Sequence, residues 1–200
     1  MPPHRDLAAY DDRAGQYDRG WRGRLHHAIG DRTAALATST AASPQRVLDV
    51  GCGTGYLLRT LAGRYPEAEQ FAGIDAAPNM IETARRLTVD QRLTFSTGVA
   101  ERLPYPDASI DLVVSSTSFD HWTDQYAGLG ECARVLRPGG RVALMVPTAG
   151  RAAQLWKKLP NVGAHVFGED EIGDILEDHG FASVRTKNVG TIQWVRAKRG

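Results

Sequence analysis

The stretch from Val47 to Leu58, VLDVGCGTGYLL, constrains the fold more than any other part of the chain. A short apolar run carrying Asp49 ends at three alternate glycines, Gly51, Gly53 and Gly55, and apolar spacing then resumes. A run bounded in this way reads as a buried strand that enters a helix through a turn where bulky side chains are excluded. The same alternation recurs. QRVLDV, EQFAGID, RLTFSTG, IDLVVSS and RVALMV read as strands, with helices over 55–64, 78–87 and 124–136. Pro78 suits a first helical turn, and Met80, Ile81, Ala84 and Leu87 recur at helical spacing. Pro138-Gly139-Gly140 stops the helix before RVALMV. The tail offers a helix over 168–180 and two strands, 181–189 and 191–198, around Gly190. Strands alternating with helices predict a parallel sheet with crossover helices, closed by an antiparallel hairpin.

One domain accounts for the whole chain of 200 residues. Its expected parts are an N-terminal helical cap (1–43), a ligand-binding core (44–147), and a short insert with the last helix and hairpin (148–200). The formal net charge of +1 supplies no overall field toward nucleic acid or an anionic membrane. Twenty arginines stand against four lysines, but they are scattered, and the excess reads as a coding bias rather than phosphate recognition. Cys52 and Cys132 form no metal-like cluster, and with no leader-like or membrane-spanning run the expected location is a reducing cytoplasm.

The glycine turn has a chemical reading. In open α/β sheets, ligands bind beyond the carboxyl ends of the strands, and glycine lets backbone approach them closely. Asp75, ending the second strand, is placed to accept hydrogen bonds from both hydroxyls of a ribose. A dinucleotide fingerprint would need a third glycine where Tyr56 stands, and no GK[ST] follows for a phosphate loop. Asp49 would repel a pyrophosphate but suits a cationic amino-acid group. The predicted ligand carries a ribose and a cationic end, with no phosphate.

VLDVGCGTGYLL, GIDAAPNM, AERLPYPDASIDLVVS and ARVLRPGGRVALM, in that order, resemble the successive motifs of class I S-adenosylmethionine-dependent methyltransferases. The subgroup they resemble is the small-molecule type, the methyltransferase 11 group. The resemblance covers residues 44–147 and implies a Rossmann-like three-layer α/β fold. Its seven-stranded sheet has the order 3-2-1-4-5-7-6, with strand seven antiparallel. It implies S-adenosylmethionine as cofactor, S-adenosylhomocysteine as product, and methyl transfer by in-line displacement. Gly51 and Gly53 would lie against the methionine part, Asp49 near its ammonium, and Asp75 on the ribose diol. Ala76 and Met80 would pack on adenine, Ala100 would present its N–H to the ring, and Ser115 its carbonyl to the amino group. Tyr17 either closes over the cofactor or packs the first helix onto the body.

Two positions depart from the pattern. Val99 stands where the family has an acid facing the adenine amino group, leaving Glu101 or water to substitute. In SFDHW, Asp120 replaces the first of two adjacent histidines and His121 retains the second. This loop faces the expected acceptor. His121 is the candidate general base and Asp120 a base or orienting group; the alternative for both is a loop-stabilising hydrogen bond. Phe119 and Trp122 pack or line an apolar pocket. The loop lacks the (N/D/S)PPY signature of enzymes acting on nucleic-acid bases. His4, His26, His27, His165 and His179 show no metal spacing and read as surface residues. Trp156, His165, Phe167 and two lysines form a short insert over an acceptor pocket that is open or completed by a second subunit. The acceptor is a small molecule of unspecified atom type. The rival readings are a catalytically silent S-adenosylmethionine-binding partner or sensor domain, and a nicotinamide-dependent oxidoreductase.

Overall fold

The computed structural model describes residues 7–41, 43–147 and 171–200. A short helix α1 (Leu7–Arg13) runs through a 3-10 turn (Ala14–Gln16) toward the long helix α2 (Gly20–Thr40). Five strands and three helices follow: β1 (Arg46–Val50), α3 (Tyr56–Arg64), β2 (Gln70–Asp75), α4 (Pro78–Arg86), β3 (Leu93–Thr97), β4 (Ile110–Ser116), a 3-10 turn (Phe119–His121), α5 (Gln125–Val135) and β5 (Leu136–Pro147). Helix α6 (Glu171–Asp178) and the hairpin β6 (Phe181–Val189) and β7 (Ile192–Arg199) complete the described chain.

The strands form one sheet of order β3-β2-β1-β4-β5-β7-β6, as the resemblance implied. β1 to β5 pair in parallel, while β7 runs antiparallel to both β5 and β6. Alternate side chains point to opposite faces. Val47, Phe71, Leu112 and Val114 pack with Leu58, Leu61 and Ile81 on the side of α2, α3 and α4. Leu48, Val50, Val113 and Leu144 pack with Leu129, Ile172 and Leu176 on the side of α5 and α6. Because both faces are covered, these strands are apolar almost throughout, and that continuity made them readable. Each fully buried leucine or isoleucine contributes about 1.5–3 kcal/mol.

Two elements differ from expectation. Residues 20–40, expected in the cap, form a helix that lies on β4, β5 and β7 and against α3, so α2 belongs to the sandwich. Only α1 and the following 3-10 turn lie over the strand ends, packed on the start of α4. The helix expected through Leu136 ends at Val135, and β5 begins at Leu136. Leu136 pairs with Ile110 and Arg141 with Leu112, so Arg137–Gly140 bulge out of the ladder between two paired residues. Gly139, at φ +80°, supplies the left-handed conformation that the excursion needs. Trp156, His165, Phe167, the insert lysines and His4 lie outside the described residues. No helix among the described residues is long and apolar enough to cross a membrane.

Candidate cofactor and acceptor site

The glycine turn is built from backbone hydrogen bonds at the end of β1. The N–H groups of Gly51 and Cys52 both donate to the Ile74 carbonyl, at 2.7 and 3.0 Å, and Gly55 N–H donates to Cys52 at 2.9 Å. Gly51 has φ +77°, and a β-carbon there would collide with the Ser118 side chain. Gly53 has φ +51°, yet nothing lies within 4 Å of the place its β-carbon would take. Its backbone is therefore bare toward open space.

Asp75 secures this turn. Its Oδ2 accepts from Gly53 N–H at 2.8 Å, and its Oδ1 accepts from Ala77 N–H at 2.9 Å. A carboxylate has about four acceptor positions. Asp75 thus pins the turn and the start of α4 from the wall of the first cavity.

Two adjoining cavities open here. Tyr17, Gly51, Gly53, Asp75, Ala76, Met80, Val99, Ala100 and His121 line the first, together with Leu7, Tyr10, Thr117, Ser118 and Trp122. Asp49 lines the second with Asp18, His26, His27, Thr54 and Tyr56. Tyr17, Gly51, Gly53, Ser116 and Thr117 belong to both walls. Neither Ser115 nor Asp120 is a lining residue of either cavity. The Ser115 side chain is fully buried and its hydroxyl donates to the Val50 carbonyl at 2.7 Å, while Ser116 stands at the wall. Glu101 is turned away toward α5, one oxygen accepting from Asp124 N–H at 2.9 Å.

Asp49 differs from Asp75 in burial and in hydrogen bonding. It is 1% exposed, and its Oδ1 has no hydrogen-bond partner. Burial pushes its carboxyl well above the usual carboxylate range, and the negative charge of Asp75 pushes the same way. A buried carboxylate without a donor is costly until a cation meets it. The orphaned oxygen and the bare Gly53 backbone fit a ligand with a cationic group at this end. Cys52, beside them, is no nucleophile: burial drives its thiol well up, reinforced by Asp75 and Asp49.

The loop after β4 forms the opposite wall. Thr117 sits at φ +55°, unusual for a β-branched residue, at the point where the chain leaves the sheet. Ser118 then organises the loop. Its carbonyl accepts from His121 N–H at 2.9 Å and its hydroxyl accepts from Trp122 Nε1–H at 3.0 Å. Phe119 is fully buried edge-on to Trp122, with centroids 4.9 Å apart. His121 Nε2 lies 3.0 Å from the Tyr10 hydroxyl and 3.4 Å from Asp120 Oδ2. Asp120 is nearly buried, and its other oxygen has no hydrogen bond.

Sequence reasoning missed several wall residues. Tyr10 carries no local signal; only the fold of α1 over the strand ends brings it to His121. Thr117 was passed over because the strand pattern ends one residue earlier. His26 and His27, expected at the surface, are half-buried in the wall of the second cavity. Tyr17 stacks on His26 with centroids 4.7 Å apart, and its hydroxyl is 3.3 Å from Nδ1. Burial raises the Tyr17 phenol and lowers the His26 imidazole, so both stay neutral at neutral pH. His27 stacks on Tyr56 at 3.8 Å, and its Nε2 lies 3.0 Å from Asp18 Oδ1, which also accepts from the Thr54 hydroxyl at 3.1 Å. His179 is half-buried too, its ring 4.2 Å from that of Tyr126.

Comparison with known proteins agrees with this geometry. A family model described as a methyltransferase domain matches residues 48–144. The chain is 40% identical over 161 residues to a demethylmenaquinone methyltransferase of Deinococcus radiodurans, covering 76% of this chain and 62% of that protein. It is 34% identical over 152 residues to a 27-O-demethylrifamycin SV methyltransferase of Amycolatopsis mediterranei, covering 68% and 55%. The chain therefore spans less than two thirds of these relatives' length. The crystal structure of an S-adenosylmethionine-dependent methyltransferase from Aquifex aeolicus superposes with a TM-score of 0.73 at 23% identity, over 95% of this chain and 98% of that one, and so shares the fold. With four motifs in order, the predicted strand order and these relatives, residues 48–144 are similar to the class I S-adenosylmethionine-dependent methyltransferases of the methyltransferase 11 type.

Proposed function

We propose that the chain binds S-adenosylmethionine across the two cavities and transfers its methyl group to a hydroxyl of a small molecule. The observation that carries this reading is the pair of carboxylates: Asp75 bonded to the glycine turn beside one cavity, Asp49 orphaned in the other. Asp75 would accept from the ribose hydroxyls, and Asp49 would meet the ammonium. Ala76, Met80, Val99 and Ala100 would enclose the adenine, with Tyr17 between the two ends. Ser115 would act through its backbone carbonyl. When bound, S-adenosylmethionine supplies a methyl group already activated on a sulfonium.

The protein's remaining task is alignment, worth up to about 7–11 kcal/mol in favourable cases, and proton removal. His121 faces the first cavity and takes the proton of the acceptor hydroxyl. Tyr10 and Asp120 both address its Nε2 and hold the ring. A relative named for a 27-O-demethyl substrate supports an oxygen acceptor. A net charge of +1 and the absence of a base-methylating motif support a small molecule over nucleic acid.

Titration calorimetry with S-adenosylmethionine and NADH tests the ligand, and a screen of hydroxylated small molecules, scored by S-adenosylhomocysteine release, tests the reaction. His121→Ala should then lower turnover by about 10²–10⁴-fold with cofactor affinity unchanged. Equal turnover in both proteins would make His121 structural, and failure of every acceptor would leave a binding domain.

A further inference from the structure

The arginines that the sequence scatters converge away from the cavities described above. Arg141 on β5, Arg185 on β6 and Arg196 on β7 line a cleft of about 250 Å³ beside the last turn of α2. The strand order brings them together. Arg185 stands directly opposite Arg196, and Arg196 opposite Ala143, so Arg141, two residues from Ala143, faces the same side. From Arg141 to Pro147, where β5 reaches the catalytic edge, the strand covers about 20 Å.

Nothing in the cleft balances this charge. Like charges directly opposite on neighbouring strands destabilise a sheet. No carboxylate lines the cleft, and among the described residues none of the three guanidinium groups has a hydrogen bond or ion pair. Asp111 shares a neighbouring depression with Arg141, but it is occupied by Arg137 and by the N–H groups of Gln45 and Arg46 at 2.7 and 2.8 Å. The carboxyl end of α2 offers the equivalent of about half a negative charge, too little for three cations. Its hydroxyls are spoken for, since Ser39 and Thr40 both donate to the Leu36 carbonyl at 2.7 Å. Ser183, also in the wall, sits at φ +56° inside the bulge between Ala182 and Arg185. Bulges of this kind commonly re-aim side chains at sites. Guanidinium forks match tetrahedral oxyanions in shape and charge.

We propose that this cleft binds a phosphate-type oxyanion, a second site distinct from the methyl-transfer site and independent of its chemistry. The probe is inorganic phosphate, added to the whole chain and compared with chloride at equal ionic strength. Phosphate should raise the thermal midpoint saturably and titrate in calorimetry, and chloride should do neither. Arg185→Gln and Arg196→Gln should each weaken phosphate binding by about tenfold. In phosphate-free buffer Arg185→Gln should melt no lower than wild type, because it removes one of two opposed like charges. That control separates loss of binding from loss of folding. Anionic phosphatidylglycerol vesicles identify the source: vesicles that displace phosphate and sediment with the protein assign it to a lipid headgroup, and vesicles that do neither assign it to a soluble phosphate. The proposal is overturned if phosphate acts no differently from chloride, or if both variants bind it as wild type does.

Discussion

Asp49 and Asp75 lie on the neighbouring strands β1 and β2 and on the same side of the sheet. Asp49 is paired with Gly73, two residues before Asp75. The fold treats them in opposite ways. Asp75 receives two backbone N–H donors and is partly open; Asp49 is sealed in, with one oxygen lacking any donor. Identical side chains therefore do different work. Asp75 holds the turn together and lines the first cavity, whereas Asp49, buried with an oxygen that lacks a donor, costs stability as long as no cation meets it. A carboxylate bonded to main chain marks a place held rigid, and one with an oxygen left bare marks a place that a ligand could complete.

The largest expected effect removes the turn that both acids face. Gly53→Val should abolish S-adenosylmethionine binding in calorimetry, because valine is disfavoured at φ +51° and its branches would fill the open cavity. Normal binding by a folded variant would reduce the glycines to a turn without a ligand.

Asp75→Ala comes next. It should weaken cofactor binding at least about tenfold, or 1.4 kcal/mol. It should also lower the unfolding free energy by about 1–3 kcal/mol, since Gly53 and Ala77 lose their acceptor. Chemical denaturation of the ligand-free protein checks the second number; an unchanged midpoint would break the comparison.

Asp49→Asn should separate the two roles. Its affinity for the cofactor should fall by about tenfold at most, from loss of one charge–charge contact. Its stability should stay level or rise, the reverse of Asp75→Ala. The sign follows from the raised carboxyl. The wild type has its full stability contribution while Asp49 is protonated in both states, and loses it as pH rises from the ordinary value of 3.8 through the raised one. Asparagine has no such loss, so its advantage should appear on the alkaline side of that range.

The smallest effect concerns protons. Because burial raises the Asp49 carboxyl in the free protein and an ammonium favours its ionised form, cofactor affinity should increase with pH up to the raised value. Calorimetry in buffers of different ionisation enthalpy should show release of up to one proton per ligand in wild type and none from this position in Asp49→Asn. A flat profile would mean that Asp49 is already ionised.

The strands, the glycine turn and the acid ending β2 were legible because they rest on short-range patterns: apolar runs covered on both faces, alternate glycines, and an acid at a strand end; the strand order was legible only through the family resemblance. Helix α2 was harder to assign as a layer because its buried face is made of Gly23, Gly30, Thr33, Ala34 and Ala37 around the single large residue Ile29. Small residues let a helix lie close to a sheet but give a weak apolar stripe. The start of β5 was obscured because Leu136 satisfies both the helical spacing before it and the strand pairing it adopts. Tyr10, His26, His27 and Thr117 could not be found from local pattern at all. Each enters the walls through the path of the N-terminal segment or the conformation of a single loop residue.

That N-terminal segment stands over both cavities. Tyr17 borders both cavities, so a ligand that fills them lies beneath it. The segment is held at its ends by few bonds: Asp11 to Asn79 N–H at 2.7 Å, Tyr10 to His121 at 3.0 Å and Tyr17 to His26 at 3.3 Å. Helix α1 contains no fully buried residue. Elements with so little buried contact open far more often than the sheet beneath them. In the proposed complex, entry and departure would follow the opening of residues 7–17, and its lifetime would be set by a piece of chain whose first helix buries no residue.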